Sequence, residues 1–82
     1  MMKIKVLFFA QLRKALGTAE KVVEVKEGTT AGELSESLVG PLGFGGSERL
    51  PLLFAVNENF TQADERLSEN DVLAIMTPVA GG

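Results

Sequence analysis

The sequence predicts one small α+β domain, and three observations carry that expectation. Short segments rich in β-branched or alternating apolar residues recur at Lys3–Ala10, Glu20–Lys26, Leu52–Val56 and Val72–Met76, each of strand length. Between the second and third lies Thr30-Ala31-Gly32-Glu33, a capping-box signature followed by apolar residues at helical spacing. The chain has 82 residues, 45% of them apolar, which is enough for one packed core and too few for two.

Taken in order, the first strand places Ile4, Val6 and Phe8 on one face as core. Lys3, Lys5, Leu7 and Phe9 lie on the other, which begins polar and ends apolar. Gln11 to Leu16 then predicts a short helix seated by Leu12, Ala15 and Leu16, with Gly17 as its stop. In the second strand Val23 and Val25 oppose Glu24 and Lys26, and Glu27-Gly28 makes a turn.

The main helix is predicted over Thr30–Val39, with Ala31, Leu34 and Leu38 inward and Gly40-Pro41 ending it. A glycine-containing loop follows from Pro41 to about Leu50. Leu52–Val56 is the third strand, and Asn57-Glu58-Asn59 turns the chain into Phe60. Leu67 to Asp71 reads as a polar turn. The last strand, Val72–Met76, sets Leu73 and Ile75 against Val72, Ala74 and Met76. The order suggests a hairpin covered on one face by the main helix, with the first and last strands as a central pair. Residues 1–76 form the domain and 77–82 an extended C-terminal tail.

Composition narrows the chemistry. Cysteine and histidine are both absent, so no disulfide framework, thiol nucleophile or Ser-His pair is available, and a structural zinc site is excluded in practice. Net charge is −3 and the eight basic residues are scattered, which disfavours nucleic acid as a partner. The apolar run near the N-terminus is broken by Gln11, Arg13 and Lys14, and no stretch approaches transmembrane length. The expectation is a cytoplasmic protein that uses carboxylates, amines, backbone groups or a terminus.

The terminus stands out. A final Gly-Gly arises by chance in roughly 0.5% of chains, and by itself it is also what a frayed end looks like. Three features favour a role. It follows a well-anchored strand, Pro78 keeps that strand from continuing in a ladder, and no other reactive group is present. The tail from Pro78 to Gly82 can span on the order of 17 Å, and glycines without Cβ can enter a narrow channel on another protein. Activated as an acyl-adenylate, the terminal carboxylate can accept sulfur as a thiocarboxylate.

Beside the tail, Leu7 and Phe9 share a face with Ala74 and Met76 if the first and last strands are neighbours, and Phe60 extends the set. Such a patch would mark a protein interface; the alternatives are a covered second sheet face or ordinary scattered apolar residues. Other motifs are weak. Gly43-Phe44-Gly45-Gly46 lacks the Lys-Ser/Thr of a phosphate loop. Glu33 and Glu36 are explained by the capping box and a solvated helix face. Asp64, Glu65, Glu69 and Asp71 do not match calcium-loop spacing.

The run Ile4-Lys5-Val6-Leu7-Phe8-Phe9-Ala10-Gln11-Leu12-Arg13 with Gly17, then Ala55-Val56-Asn57, Asp71-Val72 and Pro78-Val79-Ala80-Gly81-Gly82, resembles the molybdopterin synthase small subunit family. The resemblance spans nearly the whole chain. It implies a ubiquitin-like β-grasp fold: a mixed sheet, one main helix on one face and a flexible Gly-Gly tail. It also implies a sulfur carrier, a non-catalytic subunit of a sulfurtransferase complex in molybdenum cofactor biosynthesis. Its expected partners are the synthase large subunit, in a heterotetramer, an E1-like adenylating enzyme and a sulfurtransferase.

In that family the terminal glycine is adenylated, converted to a thiocarboxylate and inserted into the large subunit, where sulfur passes to cyclic pyranopterin monophosphate. Carried onto this chain, Gly82 is the thiocarboxylate carrier and Gly81 the narrow neck. Phe9, Phe60 and Met76 fall at apolar interface positions, with Leu7, Pro78, Val79 and Ala80 beside them. No cofactor is implied on the chain itself; ATP is used by the activating enzyme. Thr77 stands where a second proline is common in the family. Two alternatives share the chemistry: a thiazole-pathway sulfur carrier, typically shorter and without the Pro-Val-Ala lead, and a ubiquitin-like modifier that forms isopeptide bonds to lysines.

Overall fold

The computed structural model describes residues 1–43 and 52–77. Its elements are β1 (Met2–Phe8), α1 (Ala10–Leu16), β2 (Glu20–Val25), α2 (Ala31–Val39), a 3-10 turn (Gly40–Leu42), β3 (Leu53–Val56), β4 (Asn59–Thr61) and β5 (Val72–Met76). The five strands form one sheet in the order β2-β1-β5-β3-β4. β1 and β5 run parallel at its centre and every other pairing is antiparallel. This is the mixed β-grasp sheet, with the expected central pair.

Period-two alternation decides which face is dry. Met2, Ile4, Val6 and Phe8 of β1 are buried, as are Leu73 and Ile75 of β5 and Phe54 of β3. With Leu12, Ala31, Leu34, Val39 and Leu67 they make one core cluster. Fully burying each large aliphatic side chain contributes about 1.5–3 kcal/mol.

α2 starts where its capping box predicts. The Thr30 hydroxyl accepts from the Glu33 amide at 3.2 Å, and the Thr30 amide donates to the Glu33 carboxylate at 2.9 Å. Two more amides of the first turn find partners across the chain. Ala31 donates to the Glu65 carbonyl at 2.9 Å and Gly32 to that of Ala63 at 2.8 Å. That approach requires glycine, because a Cβ on residue 32 would lie 2.8 Å from the Ala63 Cβ.

Several sequence expectations are corrected. Ala15 is exposed, so α1 is seated by Leu12 and by half-buried Leu16. α2 ends at Val39 as expected, with Gly40 as its C-cap, but the chain does not open into a loop there: it tightens into the 3-10 turn and closes on left-handed Gly43. Leu67, expected in a polar turn, is core, because its amide donates to the Thr29 carbonyl at 2.9 Å and draws the segment under α2. Phe60 belongs to a strand rather than to the end of a turn. The glycine-rich stretch from Phe44 onward lies outside the described residues.

Candidate functional site

The sheet has a second face that none of the described helices covers, and its residues line up across the strands. Leu7 is the Cα partner of Ala74, Ala74 of Ala55, and Ala55 of Phe60. Four strands thus contribute one lateral row. Beside it, Leu53 partners Met76, and Phe9, one residue past the last β1–β5 pair, comes level with Met76. Because β1 and β5 are parallel, the ends of both strands lie at one pole of the sheet, where the chain passes Thr77 toward its terminus.

Exposure separates this face from the core. Phe60 is 77% exposed, Phe9 45% and Leu53 44%, whereas Leu7, Ala74 and Met76 are half-buried. Ala55, although on this face, is 7% exposed. The small side chains at the middle of the row make a shallow floor between Leu7 and Phe60, which is a shape a partner's apolar side chains can fill. Beyond Leu7 the row ends in a charged pair, Lys5 with Glu20 at 2.9 Å, both side chains about half exposed. That pair lies at the rim, so it contributes little to stability.

The turn between β3 and β4 is braced against the start of β5. Asn57 and Glu58 both take positive φ, 51° and 72°, the requirement of a two-residue type I′ hairpin turn. The Asn57 carboxamide donates to the Asp71 carboxylate and accepts from the Val72 amide, each at 2.9 Å. Asp71 in turn accepts from the Ser68 amide at 2.7 Å. The strand that leads into the tail is therefore anchored at its entry by side chains as well as by two neighbouring strands.

Leu7, Phe9, Phe60 and Met76 are brought together on this surface as the sequence expects. Pro78, Val79, Ala80, Gly81 and Gly82 lie outside the described residues. Sequence reasoning missed Leu53 and Ala55, although alternation with buried Phe54 was a signal for both. The acidic cluster turns out to be internal hydrogen bonding: Glu65 accepts from Thr61, Glu69 from the Lys3 amide, and Asp71 as above. Among the described residues no group of three or more His, Cys, Asp or Glu could hold a metal ion. No described helix is long and apolar enough to cross a membrane.

A family model described as the ThiS family matches residues 6–82. The chain belongs to the ThiS family. Among its relatives, a molybdopterin synthase sulfur carrier subunit from Drosophila melanogaster is 40% identical over 82 residues, covering 96% of this chain and 90% of that one. Among solved structures, SAMP1 from Haloferax volcanii superposes with a TM-score of 0.79 at 27% identity, covering 98% and 99% of the two chains. A structure of the complex of subunits 1 and 2 of the molybdopterin-converting factor from Helicobacter pylori matches with a TM-score of 0.60 at 21% identity, over 99% and 100%; that likeness concerns the fold alone. For this ThiS-family chain, the solved neighbours and the sheet order agree on a ubiquitin-like β-grasp domain.

Proposed function

We propose that this chain is the sulfur carrier subunit of a molybdopterin synthase, with the carboxyl group of Gly82 as its reactive centre. The observation that carries the reading is the apolar row from Leu7 to Phe60, with Met76 and Phe9 beside it at the pole from which the tail departs. The 40% identical sulfur carrier relative supports it.

The division of labour follows from the side chains. This chain offers no histidine or cysteine, so acid–base chemistry and pterin binding belong to a large subunit, which docks on the uncovered sheet face. The Helicobacter pylori protein of the same fold is found with such a second subunit. An E1-like enzyme uses ATP to convert the Gly82 carboxylate into an acyl-adenylate, releasing pyrophosphate. The terminal sulfur of a sulfurtransferase persulfide displaces AMP, and a thiol then reduces the resulting acyl disulfide, leaving a thiocarboxylate on Gly82 and a disulfide on the thiol side. Inside the large subunit that sulfur attacks cyclic pyranopterin monophosphate, water releases the carboxylate, and two rounds complete the dithiolene. The carrier binds no cofactor of its own and works in the cytoplasm.

Rigid docking of the domain and free entry of a side-chain-poor tail divide the task between orientation and reach. The test is reconstitution: thiocarboxylated protein, a candidate large subunit and the pterin precursor are mixed and molybdopterin is assayed. Product is expected; none, with subunit pairing confirmed, rejects the assignment.

A second reading, a ubiquitin-like modifier, is favoured by the likeness to SAMP1 at 27% identity. Intact-mass analysis of the protein from cells separates the two. Ladders of conjugates support the modifier, and a sulfur-for-oxygen mass increment supports the carrier.

A further inference from the structure

We propose that the free edge of β2 pairs with the same edge of a second copy of this chain, joining two five-stranded sheets in a weak symmetric dimer. Among the described residues, β2 is flanked by β1 on one side only. The Phe8 amide donates to the Ala19 carbonyl at 2.9 Å, and continuing that antiparallel register sets Lys21, Val23 and Val25 as the residues bonded to β1. The amides and carbonyls of Glu20, Val22 and Glu24 turn outward.

Both ends of this edge are plugged. The Glu20 amide donates to the Thr18 hydroxyl at 3.4 Å, and that hydroxyl donates to the Glu20 carbonyl at 2.8 Å. The Lys26 carbonyl accepts from the Thr29 amide at 3.2 Å and from its hydroxyl at 2.7 Å. Between the plugs Val22 and Glu24 stay open, and Val22 is 62% exposed.

Charge selects both the occupant and the register. Outward residues of one copy have to meet outward residues of the other. Val22 against Val22 sets Glu20 against Glu24 at both ends, and Glu24 against Glu24 places like charges on the axis. Val22 against Glu24, with the axis at Val23, sets Glu20 against Lys26 at both ends. Charged residues usually guard an edge strand from pairing; here they leave one register open to the chain's own copy. Val22 and Glu24 exchange backbone hydrogen bonds in both symmetric pairs. A contact of one short strand edge falls below the ~1,200 Å² of a stable interface, so the dimer is expected to be weak and reversible.

Sedimentation equilibrium of the full chain up to millimolar concentration tests this. A reversible dimer is expected, weakened at least tenfold in E20K and in K26E separately. It should be restored on mixing the two variants, because the mixture sets a lysine opposite a glutamate at both ends. V22P, which removes an outward amide and no bond to β1, should be monomeric, and it replaces E20K if loss of the Lys5 ion pair unfolds that variant. A wild type that stays monomeric throughout, single variants that dimerise as well as wild type, or a mixture no stronger than its components would overturn the proposal.

Discussion

Leu7 of β1 stands directly across from Ala74 of β5, in parallel register. That pairing turns two separate strand patterns into one surface, because it aligns the outward residues of the first strand with those of the strand feeding the terminus. The row then continues through Ala55 to Phe60. Every residue of the row rides on a hydrogen-bonded strand rather than on a loop, from central β1 to edge strand β4.

A polar substitution at the exposed end of this row should separate binding from folding. Phe60→Asp is expected to weaken large-subunit binding at least tenfold, as for an exposed aromatic anchor. The melting temperature should hardly move, since the ring is already 77% exposed. Calorimetric titration against the large subunit, paired with thermal melts, checks both. Unchanged affinity would remove Phe60 from the interface.

Removing the Asn57 carboxamide should act on stability instead. Asn57→Ala deletes the bonds to Asp71 and Val72 and places alanine at φ 51°. The expected loss is about 1–3 kcal/mol, read by urea denaturation. The paired hydrogen bonds lie at the entry to β5, so hydrogen exchange should rise first at Val72 and its neighbours.

The same turn contains a correctable weakness. Glu58 sits at φ 72° without the local advantages of glycine or asparagine, whereas Asn-Gly is the favoured type I′ pair. Glu58→Gly is expected to stabilise the fold by roughly 0.5–1 kcal/mol. A lower urea midpoint in this variant would contradict the turn assignment.

Ser35 offers a second gain. It is 1% exposed within α2, and its hydroxyl has no hydrogen-bond partner among the described residues. Ser35→Ala removes a buried polar atom and improves helix propensity, for about 1 kcal/mol and a melting-temperature rise of roughly 4–8 °C. A fall would show that the hydroxyl is satisfied in solution.

Local signals in the sequence were enough where contacts are local. The Thr30–Glu33 capping box spans four residues and forms as expected, and Ile4, Val6 and Phe8 declare their buried face by alternation. What escaped depends on distant chain. β4 is three residues long, too short for a period to show, and exists because Phe60 pairs with Ala55. Leu67 lies among polar neighbours, and its burial comes from bonding to Thr29, far away in sequence. Ser35 enters the core because the buried face of α2 runs through Ala31, Leu34, Ser35 and Val39, rotated about the helix axis from the Ala31–Leu34–Leu38 stripe. For the candidate surface, strand alternation pointed to Leu7, Phe9, Ala74 and Met76, but only the strand order shows that Leu7, Ala74, Ala55 and Phe60 share a row with Met76 beside it.

The most direct measurement concerns the last residue. The protein is prepared with one alanine appended after Gly82, and sulfur transfer to the pterin precursor is assayed with activating enzyme, sulfur donor and large subunit present. The account predicts that molybdopterin formation falls to background while binding to the large subunit persists, because an added residue displaces the acyl group from the position where both chemistries occur. Undiminished product from the extended chain would contradict it, and the reactive centre would then have to be sought elsewhere in the molecule.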